Sequence, residues 1–245
     1  MIAHYHLEAQ PTTFDFAVWL STVKTWGAEK VSFIGKKFKP KQNYPYHVAW
    51  TRFENLVKPL CELADIPVVK EADKEPVYFT HFMKGAHMAW RENSKIWKYP
   101  YEKKHDHITV TLRDSFRNKY RDANRPEWDK FISWAENRGE KVVLIEDAEQ
   151  NGISIRDRWD AYQCKLNFFT GGGPAALCWM SDAPYVSFFK SLVEHDYYLL
   201  SVHHWMYTNS QLPWAKQNQK IIWNTQDKFE NIVKQYERFA TSGAH

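Results

Sequence analysis

Short β-branched or aromatic runs recur along this chain, and the segments between them are too long for hairpins and carry helical spacing. Residues 2–7 read as a strand. Residues 14–26 set Phe14, Val18, Val23 and Trp26 at helical intervals, and residues 31–34 return as a strand. Thr12 or Thr13 is placed to cap that helix and Gly27 to close it. Strand, crossover helix, strand is the grammar of an open parallel sheet. It starts again at residues 108–112. With Asn124 as candidate cap and Pro126 placed as the first helical residue, a helix is expected over 127–138, with Gly139 as its stop and a strand over 141–145. Between the two units, a helix is expected over 47–64 and short strands at 67–69 and 77–80. An aromatic, irregular segment at 84–101 follows and runs into a connector at 98–107. Further on, helices are expected over 155–164 and 175–180, strands over 166–169 and 185–189, and a terminal helix over 227–239. The expected fold class is α/β, with two Rossmann-like lobes of mostly parallel sheet. They divide into residues 1–102 and 103–245, with the site in the cleft between them.

The rest of the composition narrows the classes. The 245 residues are 44% hydrophobic and 16% aromatic, enough to bury a core and too apolar for a disordered chain. No apolar run approaches the length of a membrane span, and the first eight residues lack the basic and apolar stretches of a secretion signal. The three cysteines, Cys61, Cys164 and Cys178, are odd in number and far apart, which fits a reducing, cytoplasmic setting better than a disulfide framework or a zinc site. A net charge of +4 suits an anionic ligand such as a nucleotide phosphate and is too small to point to nucleic acid by itself.

Four features carry possible chemistry. In Thr170-Gly171-Gly172-Gly173-Pro174 a strand runs into three glycines and a helix-opening proline. Backbone that close to a ligand, beside free N–H groups, suits phosphate or carboxylate, while an ordinary strand-to-helix turn uses the same residues only to relieve strain. Arg113, Arg117, Arg121 and Arg125 recur every four residues, and Arg113 directly follows a strand. Guanidinium forks match phosphate oxygens, although a solvated charged loop, partly neutralised by Asp114 and Asp122, has the same pattern. Asp15 lies where the first strand passes into the first helix. There it serves either as a general base across the cleft or as a first-turn acid complementing the helix dipole. The 11 histidines are scattered without metal spacing, and His81 and His87 stand nearest the interlobe edge. Twelve tryptophans and thirteen tyrosines offer stacking faces for sugars or bases, or simply fill a core. No Asp-x-Asp, His-Glu-x-x-His or Gly-x-Ser-x-Gly is present.

The carboxyl-terminal half resembles the second lobe of two-Rossmann (GT-B) glycosyltransferases, of the kind found in surface-polysaccharide gene clusters and, more distantly, the heptosyltransferases. Three stretches carry the resemblance. They are Thr109-Val110-Thr111-Leu112-Arg113 with Arg125-Pro126-Glu127-Trp128, then residues 166–178 with Ala183-Pro184-Tyr185, and last Gln211-Leu212-Pro213-Trp214-Ala215 with residues 219–223. The resemblance implies a nucleotide-sugar donor held by the second lobe and a glycan or other hydroxyl acceptor on the first. Arg113, Arg117, Gly171, Gly172 and Gly173 would meet the donor phosphates, and Asp15 would act as base. Arg121, Asp147, His81 and Gln211 are further cleft candidates. Neither a cofactor nor a metal is expected, because arginine and backbone N–H groups neutralise the leaving diphosphate. A nucleotide-sugar epimerase and a non-catalytic protein binding glycan or nucleic acid are the alternatives.

Overall fold

The computed structural model describes residues 1–35, 46–70, 82–114, 122–146, 154–171, 173–189 and 210–241. The amino-terminal sheet is β1 (Ile2–His6), β2 (Lys30–Ile34) and β3 (Val68–Val69), parallel and in that order. Between its strands run α1 (Asp15–Thr25), α2 (Tyr46–Arg52), a π-helical turn (Phe53–Val57) and α3 (Lys58–Leu63). Helix α4 (Phe82–Asn93) leads towards the second sheet. That sheet consists of β4 (His105–Leu112), β5 (Val142–Glu146), β6 (Cys164–Thr170), β7 (Tyr185–Phe189) and β8 (Gln219–Trp223). All its pairings are parallel, in the order β5-β4-β6-β7-β8. Its helices are α5 (Arg125–Glu136), α6 (Ile155–Tyr162), α7 (Ala175–Trp179) and α8 (Phe229–Thr241). The expected α/β architecture with two parallel sheets is the one observed. No helix among the described residues is long and apolar enough to cross a membrane.

Parallel strands need cover on both faces, and the side chains show how it is supplied. On one face of the larger sheet Val110, Phe168 and Phe188 meet Trp128 and Phe131 of α5 and Ile232 and Tyr236 of α8. On the other face Phe169 and Tyr185 join an apolar cluster that continues through α6 and α7 into Tyr5, Phe16 and Trp19 of the amino-terminal unit. Helix α1 packs on α7 and α3 packs on α6. This explains why α1 is buried along most of its length, from Phe16 to Val23, and not along one stripe. Its buried hydroxyls stay satisfied by donating to carbonyls one turn back, Ser21 to Ala17 and Thr22 to Val18.

Two polar devices inside this core were not evident from spacing. Asn167, fully buried in β6, accepts from Thr109 of β4 at 2.7 Å and donates to the carbonyls of Tyr162 and Pro184 at 3.0 Å each. It thereby ties together β4, the end of α6 and the entry to β7. At the start of α5, Asn124 occupies the capping position but its side chain makes no capping bond, and Pro126 is the second helical residue, not the first. The cap comes from far along the chain. Asp227 accepts from the Asn124 N–H at 2.8 Å and from the Trp128 indole at 2.9 Å, while Glu127 accepts from the Phe229 N–H of α8 at 2.9 Å. Each helix start is thus held by an acid from the other, which suits the positive end of both dipoles.

The segment between the units is packed against them. The Tyr99 N–H donates to Met180 at 2.7 Å, Lys98 pairs with Asp182 at 2.7 Å, and β4 begins at His105, three residues before the β-branched run. Nearby, His87 of α4 lies edge-on to Trp214, with ring centroids 5.3 Å apart. Burial pulls its imidazole from the ordinary 6.5 down to about 4. The unfolded chain therefore takes up a proton that the folded one refuses. The contribution of neutral His87 to stability is complete above about pH 6.5 and is lost as pH falls towards 4. Allowing for the ring's partial exposure, the loss between pH 7.5 and pH 5 is about 1 kcal/mol. The unfolding free energy from urea titrations should fall by that amount in the native protein and by less in His87→Gln. An equal fall in both would locate the acid sensitivity elsewhere.

Candidate functional site

The larger sheet is wound in two directions. From β4 the chain steps to β5 on one side and then returns past β4 to β6 on the other. The crossovers diverge between β4 and β6, and in open α/β sheets the crevice outside the carboxyl ends of such a pair is where ligands bind. Thr111 pairs with Phe169 in register, so Arg113 and Gly171 leave the two strands side by side. The Arg113 N–H donates to the Thr170 hydroxyl at 2.7 Å, and the Gly171 N–H donates to Phe188 of β7 at 2.9 Å. These bonds fix the mouth of the crevice to both neighbouring strands. Gly171 is buried and Gly173 is exposed.

Gly173 also sets the distance to the amino-terminal unit. A Cβ there would lie 3.1 Å from the Phe14 Cβ and 3.2 Å from its ring, so the residue must stay small for α1 to approach. Phe14 is the N-cap position of α1, and Asp15 follows it. Asp15 is exposed, and the Thr13 hydroxyl donates to one of its carboxylate oxygens at 2.8 Å. Neither Thr12 nor Thr13 caps the helix. Tyr5 lies beneath. Burial, and secondarily the Asp15 charge, hold its phenol far above its ordinary range, and its hydroxyl donates to Pro11 at 2.6 Å. That bond anchors the loop from which Asp15 emerges.

Arg113 is held. Its Nε stands 3.3 Å from the Asp122 carboxylate, and its side chain is 15% exposed. The Ala123 N–H donates to the Arg113 carbonyl at 2.9 Å, which holds Ala123 beside the end of β4. Arg117, Arg121, Asp147, His81 and Gly172 lie outside the described residues. Arg125 sits on α5 with its Nε on Asp129 at 2.7 Å. Gln211 is elsewhere. Its amide donates to the Ile221 carbonyl at 2.9 Å and accepts from the Ile221 N–H at 2.7 Å, which braces β8. β8 is three strands from β4, about 14 Å away. Gln211 does line a hollow of about 460 Å³ with Trp223, Lys234 and Arg238, and a second, of about 330 Å³, lies at the opposite sheet end around Lys103, Lys165 and Lys216. Neither hollow touches Arg113 or the glycine turn. The crevice is favoured as the site because topology, backbone proximity and opposed side chains coincide there.

One residue of the crevice has no counterpart among the sequence candidates. Helix α6 buries Ile155, Arg158, Trp159 and Tyr162, an apolar stripe at helical spacing with an arginine inside it. Arg158 is 3% exposed, its guanidinium lies 5.8 Å from the Phe14 ring centroid, and its Nη1 donates to the Tyr162 hydroxyl at 3.3 Å. A charge at a stripe position was the signal available in the sequence. Among the described residues no cluster of three histidine, cysteine or acidic side chains could hold a metal. All three cysteines are free and buried, and burial pushes the Cys61 and Cys164 thiols up to about 12, so neither is a nucleophile near neutral pH.

Two parallel Rossmann-like sheets with the larger at the carboxyl terminus make this a GT-B-like architecture. Among solved structures the chain is similar to the Escherichia coli heptosyltransferase WaaC with ADP, at 10% identity over 97% of this chain and 99% of that one, with a TM-score of 0.51. It is also similar to TibC, an iron-containing dodecameric glycosyltransferase of enterotoxigenic E. coli H10407, at 11% identity over 94% of this chain and 64% of that one, with a TM-score of 0.48. No family model and no curated protein matches the sequence. At such identity the likeness is one of fold.

Proposed function

We propose that this chain is a glycosyltransferase that moves a sugar from a nucleotide-sugar donor to a hydroxyl acceptor, with residues 103–245 on the donor side and residues 1–102 on the acceptor side. The observation that carries this reading is the meeting of three groups at one crevice. Arg113 and the glycine turn leave adjacent strands at the sheet's reversal, and the Gly173–Phe14 contact brings Asp15 to the same place. The fold shared with WaaC, a structure with ADP, supports a nucleotide ligand for this fold.

In the proposed reaction the donor diphosphate lies against Gly171 and Gly173 and meets Arg113. Asp15 accepts the acceptor's hydroxyl proton as its oxygen attacks the anomeric carbon. The bond from that carbon to the phosphate oxygen breaks, and the nucleoside diphosphate leaves with the electron pair. The Arg113 guanidinium would stabilise that charge as it develops, and a metal is not expected to be required. The test is a melting screen against nucleoside diphosphates and their sugar conjugates, followed by product analysis with and without hydroxyl acceptors. One nucleoside diphosphate should raise the melting temperature, because a ligand at 100 times its Kd stabilises by about 2.7 kcal/mol. Sugar turnover without an acceptor would favour epimerisation, and no stabilisation by any nucleoside diphosphate would overturn the reading.

A further inference from the structure

We propose that Arg158 is the buried anion anchor of this crevice, a second guanidinium reaching from α6 to pair with negative charge seated at the glycine turn. The inference rests on the reading of that turn as a diphosphate site. An arginine is charged at every accessible pH and carries five N–H donors. Here one of them is met, by the Tyr162 hydroxyl at 3.3 Å, and the buried Nε has no partner among the described residues. No carboxylate among them pairs with it either. Uncompensated buried charge destabilises a fold, and a leucine or methionine would fill the same stripe without that penalty. The residue is placed as a ligand group would be.

Its neighbours show which ligand position it serves. The Tyr162 hydroxyl is 3.1 Å from that of Thr111, two residues before Arg113, and the Tyr162 ring lies edge-on to Phe169 with centroids 5.2 Å apart. Both contacts are at the carboxyl ends of β4 and β6. The Phe14 ring meets Arg158 on one hand and Gly173 on the other. Arg158 is therefore separated from Gly173 by the Phe14 ring and linked to the carboxyl end of β4 through the Tyr162 hydroxyl. The electrostatics also divide cleanly. Arg113 faces Asp122, so that pair is close to neutral, whereas Arg158 faces a phenol that burial keeps protonated, pushed up to about 12. Arg158 thus adds to Arg113 a positive charge that no carboxylate among the described residues offsets.

The decisive variant is Arg158→Met, which keeps the stem's bulk and removes the charge. Inorganic pyrophosphate is the probe, since it carries the diphosphate without base or sugar. Without ligand, Arg158→Met should melt at or above the temperature of the native protein. With pyrophosphate its affinity, measured calorimetrically, should be at least tenfold weaker. Arg158→Lys, which retains charge but loses the fork, should fall between the two, and it decides the matter if Arg158→Met fails to fold. Unchanged pyrophosphate affinity in both variants, or no pyrophosphate binding by the native protein, would overturn the anchor. Sugar transfer with unaltered pyrophosphate affinity in Arg158→Met would remove the anchor and leave the transferase. Arg158-dependent pyrophosphate binding in a protein that transfers no sugar would do the reverse.

Discussion

Asp15→Asn should lower the rate of sugar transfer by about 10²–10⁴-fold while donor affinity stays unchanged. The amide keeps the shape of the carboxylate and can still accept from the Thr13 hydroxyl, so the local turn persists. What it cannot do is take a proton from an attacking hydroxyl. Asp15 is suited to that task because it is exposed at the first residue of α1, one position after the ring that touches Gly173. Its other role, as an acid at the positive end of a helix, is worth only about 0.3–1 kcal/mol and would show as a small drop in melting temperature. Measuring kcat together with donor Kd separates the two. An unaltered kcat with a slightly lower melting temperature would make Asp15 a helix-start acid and nothing more.

Short-range pattern carried the architecture further than it carried the site. β1, β2, β5, β6 and β7 were legible because each is a β-branched or aromatic run flanked by turn residues, and α1, α5 and α6 because their spacing is helical. β8 was missed. Its five residues, Gln-Lys-Ile-Ile-Trp, become a strand through pairing with β7 and through Gln211, whose amide bonds Ile221 as a neighbouring strand would. Nothing local specifies either partner. The same holds for Asp227, which caps a helix that starts about a hundred residues earlier in the chain. At the site, Arg113 and the glycine turn could be found because each follows a strand, and topology then made them neighbours. Their meeting with Asp15 depends on Phe14 fitting against a residue without a side chain, a contact between distant segments. Arg158 was hidden for the opposite reason. Its stripe is regular enough to be read as core, so the one charged member was absorbed into the pattern.

Arg113→Ala should weaken nucleoside-diphosphate binding by about 10²-fold, the scale of losing a charge-assisted, forked contact to phosphate. The fold should survive. The bond to Thr170 uses the Arg113 backbone N–H, and the bond from the Ala123 N–H uses the Arg113 backbone carbonyl. The variant does have a second effect, because it leaves the Asp122 carboxylate at the crevice without the guanidinium that faces it at 3.3 Å. A carboxylate that has lost this guanidinium repels a diphosphate more strongly, so part of the lost affinity belongs to Asp122. Asp122→Asn separates the contributions. Alone, it should strengthen binding, since Arg113 no longer has to leave an acid to reach phosphate. Combined with Arg113→Ala, it should recover some of the affinity that Arg113→Ala loses. Binding by the native protein should weaken as salt rises, and that slope should be shallower once Arg113 is gone. Calorimetry at two salt concentrations on the four proteins completes the cycle. Equal nucleoside-diphosphate affinity in the native protein and Arg113→Ala would mean that the guanidinium at the end of β4 serves Asp122, and that the phosphate is bound elsewhere.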